Sequence, residues 1–155
     1  MDLMHPARRP KRLWLAAILD ILIAILGIVM VVFLLTSTRV ANDLKPSALN
    51  AAVSLVPASL LLLYAVLAIK GLPSARRALL LVATVYFGTI IAQNALLLWG
   101  TGETIVPSRK LLANVVRSSF SLGINWWALS SLKTKLFFAA RVLPPIKSLE
   151  RTREE

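Results

Sequence analysis

The fold class is decided by the stretch LWLAAILDILIAILGIVMVVFLL at residues 13–35, in which Asp20 is the only charged residue. As an α-helix that rises 1.5 Å per residue, this stretch would be about 35 Å long, enough to cross a hydrocarbon core of about 30 Å. A cleaved signal peptide has an apolar run of only about 7–15 residues. The stretch is therefore predicted to be a retained membrane-spanning helix.

Three further apolar segments follow at 51–69, 78–99 and 111–132. Each is close to the roughly 20 residues that a spanning helix needs, and the connectors between them contain turn formers and helix breakers. We predict an all-α membrane protein, a compact four-transmembrane-helix bundle with antiparallel up-down topology. The transmembrane domain covers 13–132, between a basic tail at 1–12 and a basic amphipathic tail at 133–155.

The composition of the 155 residues excludes several classes of protein. Hydrophobic residues make up 57% of the chain and charged residues 16%, whereas a soluble domain has about a quarter charged residues. A disordered chain, a disulfide scaffold and an ordinary soluble enzyme are thus excluded. There is no cysteine, and the only histidine is His5 in a polar tail, so we predict no metal and no cofactor.

The orientation follows from the distribution of lysine and arginine. Thirteen of these residues lie in the two tails and in the connector between the second and third segments, which are predicted to share one side of the membrane. Four lie in the other two connectors, on the opposite side. The positive-inside rule then predicts that both termini are cytoplasmic, and the simple loops suit a bacterial inner membrane. The net charge of +11 borders apolar segments, so anionic lipid headgroups are the expected partner and nucleic acid is not. Trp14 and Trp99 are predicted to be interfacial anchors.

An inner polar layer is predicted around Asp20, because ionisable groups at membrane depth are costly and are functional candidates by default. Asp20 shares a helix face with small residues, so it should point towards other helices. By depth, Asn125 and Tyr64 could both form hydrogen bonds with its carboxyl group. The layer could bind and release a proton, or it could only hold the helices together.

The fourth segment carries a polar stripe at helical spacing, made of Asn114, Arg117, Ser118, Ser121, Asn125 and Ala128. Gln93 and Asn94 of the third segment lie at a depth similar to that of Arg117, which suggests an outer polar layer. The stripe must pack inward, line a wet cavity or meet another protein, because hydrocarbon does not satisfy amides and hydroxyls. All three possibilities remain open from the sequence.

The start of the C-terminal tail alternates basic and apolar residues, with Leu136, Phe137 and Phe138 beside Lys135 and Arg141. This pattern predicts a short amphipathic segment that lies on the anionic cytoplasmic leaflet.

Among the possible functions, an enzyme is the least supported, because intramembrane hydrolysis needs a nucleophile with a base or a pair of carboxylates. We expect a non-catalytic accessory or interaction subunit that acts through helix–helix contacts, with a membrane protein or a second copy as partner. One alternative is a small proton-coupled transporter that uses Asp20. Another is an immunity-type protein that protects against a membrane-active toxin.

The transporter alternative has a partial resemblance behind it. Four short helices with one carboxylate, Asp20, in the first helix resemble the small multidrug resistance exporters, which use a single membrane-embedded acid as dimers. The resemblance covers only the number of helices and the place of Asp20. This chain is longer and has aspartate instead of glutamate.

Overall fold

The structure is a computed structural model that describes residues 10–38, 45–100 and 106–141. All regular secondary structure in these ranges is helical, so the prediction of an all-α protein is confirmed there. The elements are α1 (Lys11–Thr36), α2 (Ala48–Lys70), α3 (Ala75–Trp99), α4 (Ser108–Ser130) and the short α5 (Leu132–Ala139). The terminal tails at 1–9 and 142–155, including His5, lie outside the described residues.

Three of the four long helices are long and apolar enough to cross a membrane, namely α1, α2 and α3. The fourth helix, α4, has the same length as α2 but a much more polar sequence, and it is not among the three. The protein therefore has the helices of a small membrane protein. A fourth crossing by α4 stays a prediction.

The helices begin earlier than the predicted spans. Helices α2, α3 and α4 start at residues 48, 75 and 108, three residues before the predicted apolar segments at 51, 78 and 111. The first turn of a helix accepts polar residues, which an apolar pattern does not include. The fourth helix ends at Ser130, before the predicted limit of 132. Ser131 leaves helical geometry there and accepts a hydrogen bond from the Thr134 amide as the cap of α5.

The packing between helices depends on alanine. Helix α1 packs against α2, α2 against α3, and α3 against α4, and α1 also touches α4. Ten buried positions at these contacts are alanine. In lipid, no hydrophobic effect drives helices together, and the small alanine side chain lets their backbones approach closely enough to pack. The ten alanines are Ala16, Ala17, Ala24, Ala51, Ala58, Ala65, Ala68, Ala75, Ala83 and Ala128. The set includes Ala16, Ala17 and Ala24 of the predicted small face around Asp20, and Gly27 of the same face is partly buried.

The short helix α5 packs against the other helices. Phe137 and Phe138 are 2% and 4% exposed, lie edge to face with ring centroids 5.2 Å apart, and belong to the main apolar core. Leu136 remains exposed. Two of the three side chains that the sequence predicted for the leaflet are thus used inside the protein, because α5 folds back beneath the long helices after the break at Ser131.

Candidate functional site

The centre of the candidate site is the contact between Asp20 of α1 and Asn125 of α4. The Asn125 Nδ2 atom donates a hydrogen bond of 2.7 Å to Asp20 Oδ1 and a second one of 3.2 Å to the backbone oxygen of Ser121. Both Asp20 and Asn125 are completely buried. The contact that the sequence predicted from depth alone is therefore present.

The hydrogen bonding of this pair is incomplete. Asp20 Oδ2 and Asn125 Oδ1 are buried and have no hydrogen-bond partner among the described residues. Both atoms are acceptors when Asp20 is ionised, whereas a protonated carboxyl group can donate. A proton on Asp20 would turn one of its two acceptor oxygens into a donor.

Tyr64 is not part of this site, and the prediction that it hydrogen-bonds Asp20 is wrong. Asp20 Oδ1 receives its hydrogen bond from Asn125, and Oδ2 has no partner in the part of the chain that the structure describes, which includes Tyr64. The buried face of α2 is centred on Leu61 and Ala65, and Tyr64 lies at the margin of that face, partly buried against the apolar core. Depth in a membrane gives the level of a side chain but not the direction in which it points around the helix.

The predicted outer polar layer is divided between two places. Asn114 Nδ2 of α4 donates to Asn94 Oδ1 of α3 at 3.3 Å, and Asn94 Nδ2 donates to the Ile90 carbonyl at 2.7 Å. Gln93 lines a separate cavity of about 120 Å³ between α1, α2 and α3. The amides of the two helices therefore meet through one pair only.

A second cavity, which we call the α4 cavity, lies beside the outer polar pair. It has a volume of about 190 Å³. Its apolar walls come from α1 and α3, and its polar wall comes from α4. The lining residues are Ile23, Phe87 and Ile90 on the apolar side, and Asn114, Arg117, Ser118 and Ser121 on the polar side.

The polar stripe of α4 thus serves several purposes. Ser118, Ser121, Asn125 and Ala128 are buried, while Asn114 and Arg117 are exposed at the other end of the stripe. Ser121 links the α4 cavity to the inner pair, because its side chain lines the cavity and its carbonyl accepts from Asn125. The stripe runs along α4 from the exposed Arg117 to Asn125, which bonds the buried carboxyl group of Asp20 in α1.

Three arginines at the basic end, where α1 and α3 begin and α2 and α4 end, make contacts that the sequence did not suggest. Arg76 Nε donates to the Leu129 carbonyl at 2.7 Å, at the end of α4. Arg141 Nη1 donates to the Lys70 carbonyl at 2.6 Å, at the end of α2. Basic groups at helix C-termini satisfy free carbonyls and oppose the helix dipole.

The third of these arginines lies at the start of α1. The Arg12 guanidinium lies over the Trp127 ring, 4.2 Å from its centroid, and so joins α1 to α4 a second time. In the sequence, Arg12 and Arg76 served only to predict the orientation, and Arg141 also contributed to the predicted amphipathic segment. Their contacts link positions 53, 71 and more than a hundred residues apart, so no local signal could reveal them.

The two predicted anchors are exposed, Trp14 at 39% and Trp99 at 84%. Their role at a membrane interface stays a prediction. Within the described ranges, no group of three histidine, cysteine, aspartate or glutamate residues could hold a metal ion.

The chain was also compared with known proteins. No family model, no curated protein and no solved structure matches it.

Proposed function

We propose that the chain is an integral protein of a bacterial inner membrane in which α1 to α4 all cross the bilayer in antiparallel up-down order. Three observations support this arrangement. Three of the helices are apolar enough to span, α4 packs along α3, and lysine and arginine are concentrated at one end. In this proposal, both termini are cytoplasmic, and the basic end lies against anionic headgroups.

Within the membrane, the protein acts as a non-catalytic accessory subunit that binds another membrane protein, or a second copy of itself, through α4. The observation that carries this proposal is the exposed polar character of α4. Asn114 and Arg117 are exposed on it, and so are Ser119 and Gly123, which are four residues apart. Lipid is a poor neighbour for such a surface, and small residues at this spacing favour close helix contacts.

The test is site-specific photocrosslinking in native membranes, followed by purification in mild detergent and mass spectrometry. A photoreactive residue replaces Val116 or Phe120, which are exposed on α4, or Leu22 or Leu26, which are exposed on α1 as matched controls. We expect a discrete crosslinked product from the α4 positions and none from the α1 positions. If the α4 positions give no discrete crosslinked product, as is expected of the α1 positions, the accessory role is refuted. A toxin recovered as the crosslinked partner would identify the subunit as an immunity-type protein.

The second candidate is a small proton-coupled transporter, and the incomplete hydrogen bonding of Asp20 and Asn125 next to the α4 cavity favours it. Proton uptake by Asp20 would then be coupled to movement of a substrate through the cavity. Asp20→Asn keeps the size of the side chain and one acceptor oxygen for Asn125, but it has no titratable proton. Proton-coupled uptake into liposomes should disappear in this variant while the yield of folded protein is unchanged, and preserved uptake would exclude this mechanism.

A further inference from the structure

The α4 cavity is lined by a cation, Arg117, for which the described residues supply no counter-ion. Arg117 lines it and makes no hydrogen bond or ion pair within the described ranges. The described residues contain a single carboxyl group, that of Asp20, whose Oδ1 atom is bonded to Asn125. A guanidinium group is always charged and presents up to five donors, so a partner that accepts several hydrogen bonds is the chemical complement of this wall.

Two hydroxyl groups in the same cavity also lack partners. Ser118 and Ser121 are 7% and 4% exposed and line the cavity, and neither hydroxyl makes a hydrogen bond within the described part of the chain. A helical serine or threonine usually bonds the carbonyl four residues earlier, as Ser54 and Thr84 do here. The hydroxyls of Ser118 and Ser121 are therefore available as donors to a group in the cavity.

The size and the walls of the cavity narrow the class of ligand. A volume of about 190 Å³ is several times the roughly 30 Å³ that one water molecule occupies, so a phosphate or carboxylate group fits. Ile23, Phe87 and Ile90 form an apolar wall opposite the polar one. A ligand with an anionic head and a hydrocarbon part matches both walls.

We propose that the α4 cavity binds one oxyanion group, a phosphate or a carboxylate, which Arg117 neutralises and to which Ser118 and Ser121 donate hydrogen bonds. This inference goes beyond the accessory role, because it assigns a small ligand to the cavity side of α4, which Arg117 lines, and not a protein partner. The group could belong to the headgroup of an anionic phospholipid or to a small free anion. The binding chemistry is the same for both sources.

The test uses the full-length protein in phosphatidylcholine nanodiscs. Binding of inorganic phosphate and of propionate is measured by isothermal titration calorimetry. Binding of phosphatidylglycerol is measured by native mass spectrometry after this lipid is added to the nanodiscs. Binding of either free anion identifies a soluble ligand, and retention of phosphatidylglycerol alone identifies a lipid headgroup. Either result supports the proposal, and the absence of all three kinds of binding overturns it.

Matched variants assign the binding to the cavity. Arg117→Gln should weaken binding about tenfold or more, because a charge-assisted hydrogen bond is lost, and Arg117→Lys should recover most of it. Arg109→Gln is the control, since Arg109 is on the same helix but does not line this cavity. The double variant Ser118→Ala/Ser121→Ala, with Arg117 intact, should weaken binding several-fold. Equal effects of Arg117→Gln and Arg109→Gln, at equal thermal stability, would overturn the proposal.

Discussion

Replacement of Asn125 by leucine removes the donor of the one side-chain hydrogen bond that joins α1 to α4 among the described residues. The bond is 2.7 Å long and both of its residues are completely buried. An interhelical hydrogen bond in a membrane contributes about 0.6 kcal/mol on average and up to about 1.7 kcal/mol. Loss of the donor also strands Asp20 Oδ1, at about 1–3 kcal/mol. We therefore expect Asn125→Leu to lower the free energy of unfolding by about 2–4 kcal/mol.

A double-mutant cycle isolates the contact from other effects of the substitution. In an Asp20→Leu background there is no carboxyl group to strand, so Asn125→Leu should cost little or even stabilise the protein. The coupling free energy between the two positions should then exceed about 1.5 kcal/mol. The assay is reversible unfolding in mixed micelles of dodecyl maltoside and dodecyl sulfate, followed by far-ultraviolet circular dichroism.

Asn114→Leu provides the matched control, because it is the same substitution on the same helix at an exposed position. Asn114 makes a longer hydrogen bond of 3.3 Å to Asn94. Its replacement should change the free energy of unfolding by less than about 1 kcal/mol. A coupling free energy below about 0.5 kcal/mol between Asp20 and Asn125, or equal losses for the two asparagines, would refute the reasoning.

Three further substitutions test other contacts, each by thermal unfolding in detergent. Gly71→Ala should cost about 1–2 kcal/mol, because φ at Gly71 is 79° and a Cβ would overlap the Arg141 guanidinium. Gly27→Ala should cost about 1 kcal/mol, because its Cβ would lie 3.0 Å from Tyr86 Oη, and Tyr86→Phe in the same chain should recover the loss. Arg76→Leu should cost about 1–2 kcal/mol, because it removes the donor at the end of α4, where amide hydrogen exchange should also become faster.

Two control variants accompany these substitutions. Gly123→Ala adds a Cβ that meets no heavy atom within 4 Å outside the neighbouring backbone of its own helix, so stability should not fall and should rise by up to about 1 kcal/mol through the helix propensity of alanine. Arg77→Leu removes a neighbouring exposed arginine that makes no hydrogen bond in the described ranges. If either control costs as much as its test variant, the contacts described here are not the cause of the loss. Failure of Tyr86→Phe to recover Gly27→Ala would contradict the steric explanation.

The candidate site could be predicted in part, and its residues show where prediction stops. Asp20 and Asn125 were paired from their depths, since helical rise is constant and depth follows directly from residue number. The same argument paired Asp20 with Tyr64 and was wrong, because the direction of a side chain around its helix depends on which faces pack. A cavity was one of the three environments that the sequence allowed for the polar stripe of α4. Its apolar wall of Ile23, Phe87 and Ile90 could not be predicted, because nothing in the sequence distinguishes these residues from other apolar ones.

The C-terminal segment shows the same limit. The sequence pattern around Phe137 and Phe138 is the same whether these side chains face lipid or protein. Which of the two they contact depends on the space beneath the other helices. Arg141 reaches the end of α2 only because α5 turns back after Ser131. Such a contact joins segments far apart in the chain, so it results from packing of the whole protein.

The helical class, the approximate helix limits and the apolar character of α1, α2 and α3 follow from the amino-acid pattern alone. These properties depend on the hydrophobicity, length and turn chemistry of short segments, which are local. The contact of Asp20 with Asn125, and the cavity that Arg117, Ser118 and Ser121 share with α1 and α3, arise from packing between helices. The burial of Phe137 and Phe138 in α5 has the same origin. The rotation of each helix about its axis results from packing over its full length, and no single segment contains that information.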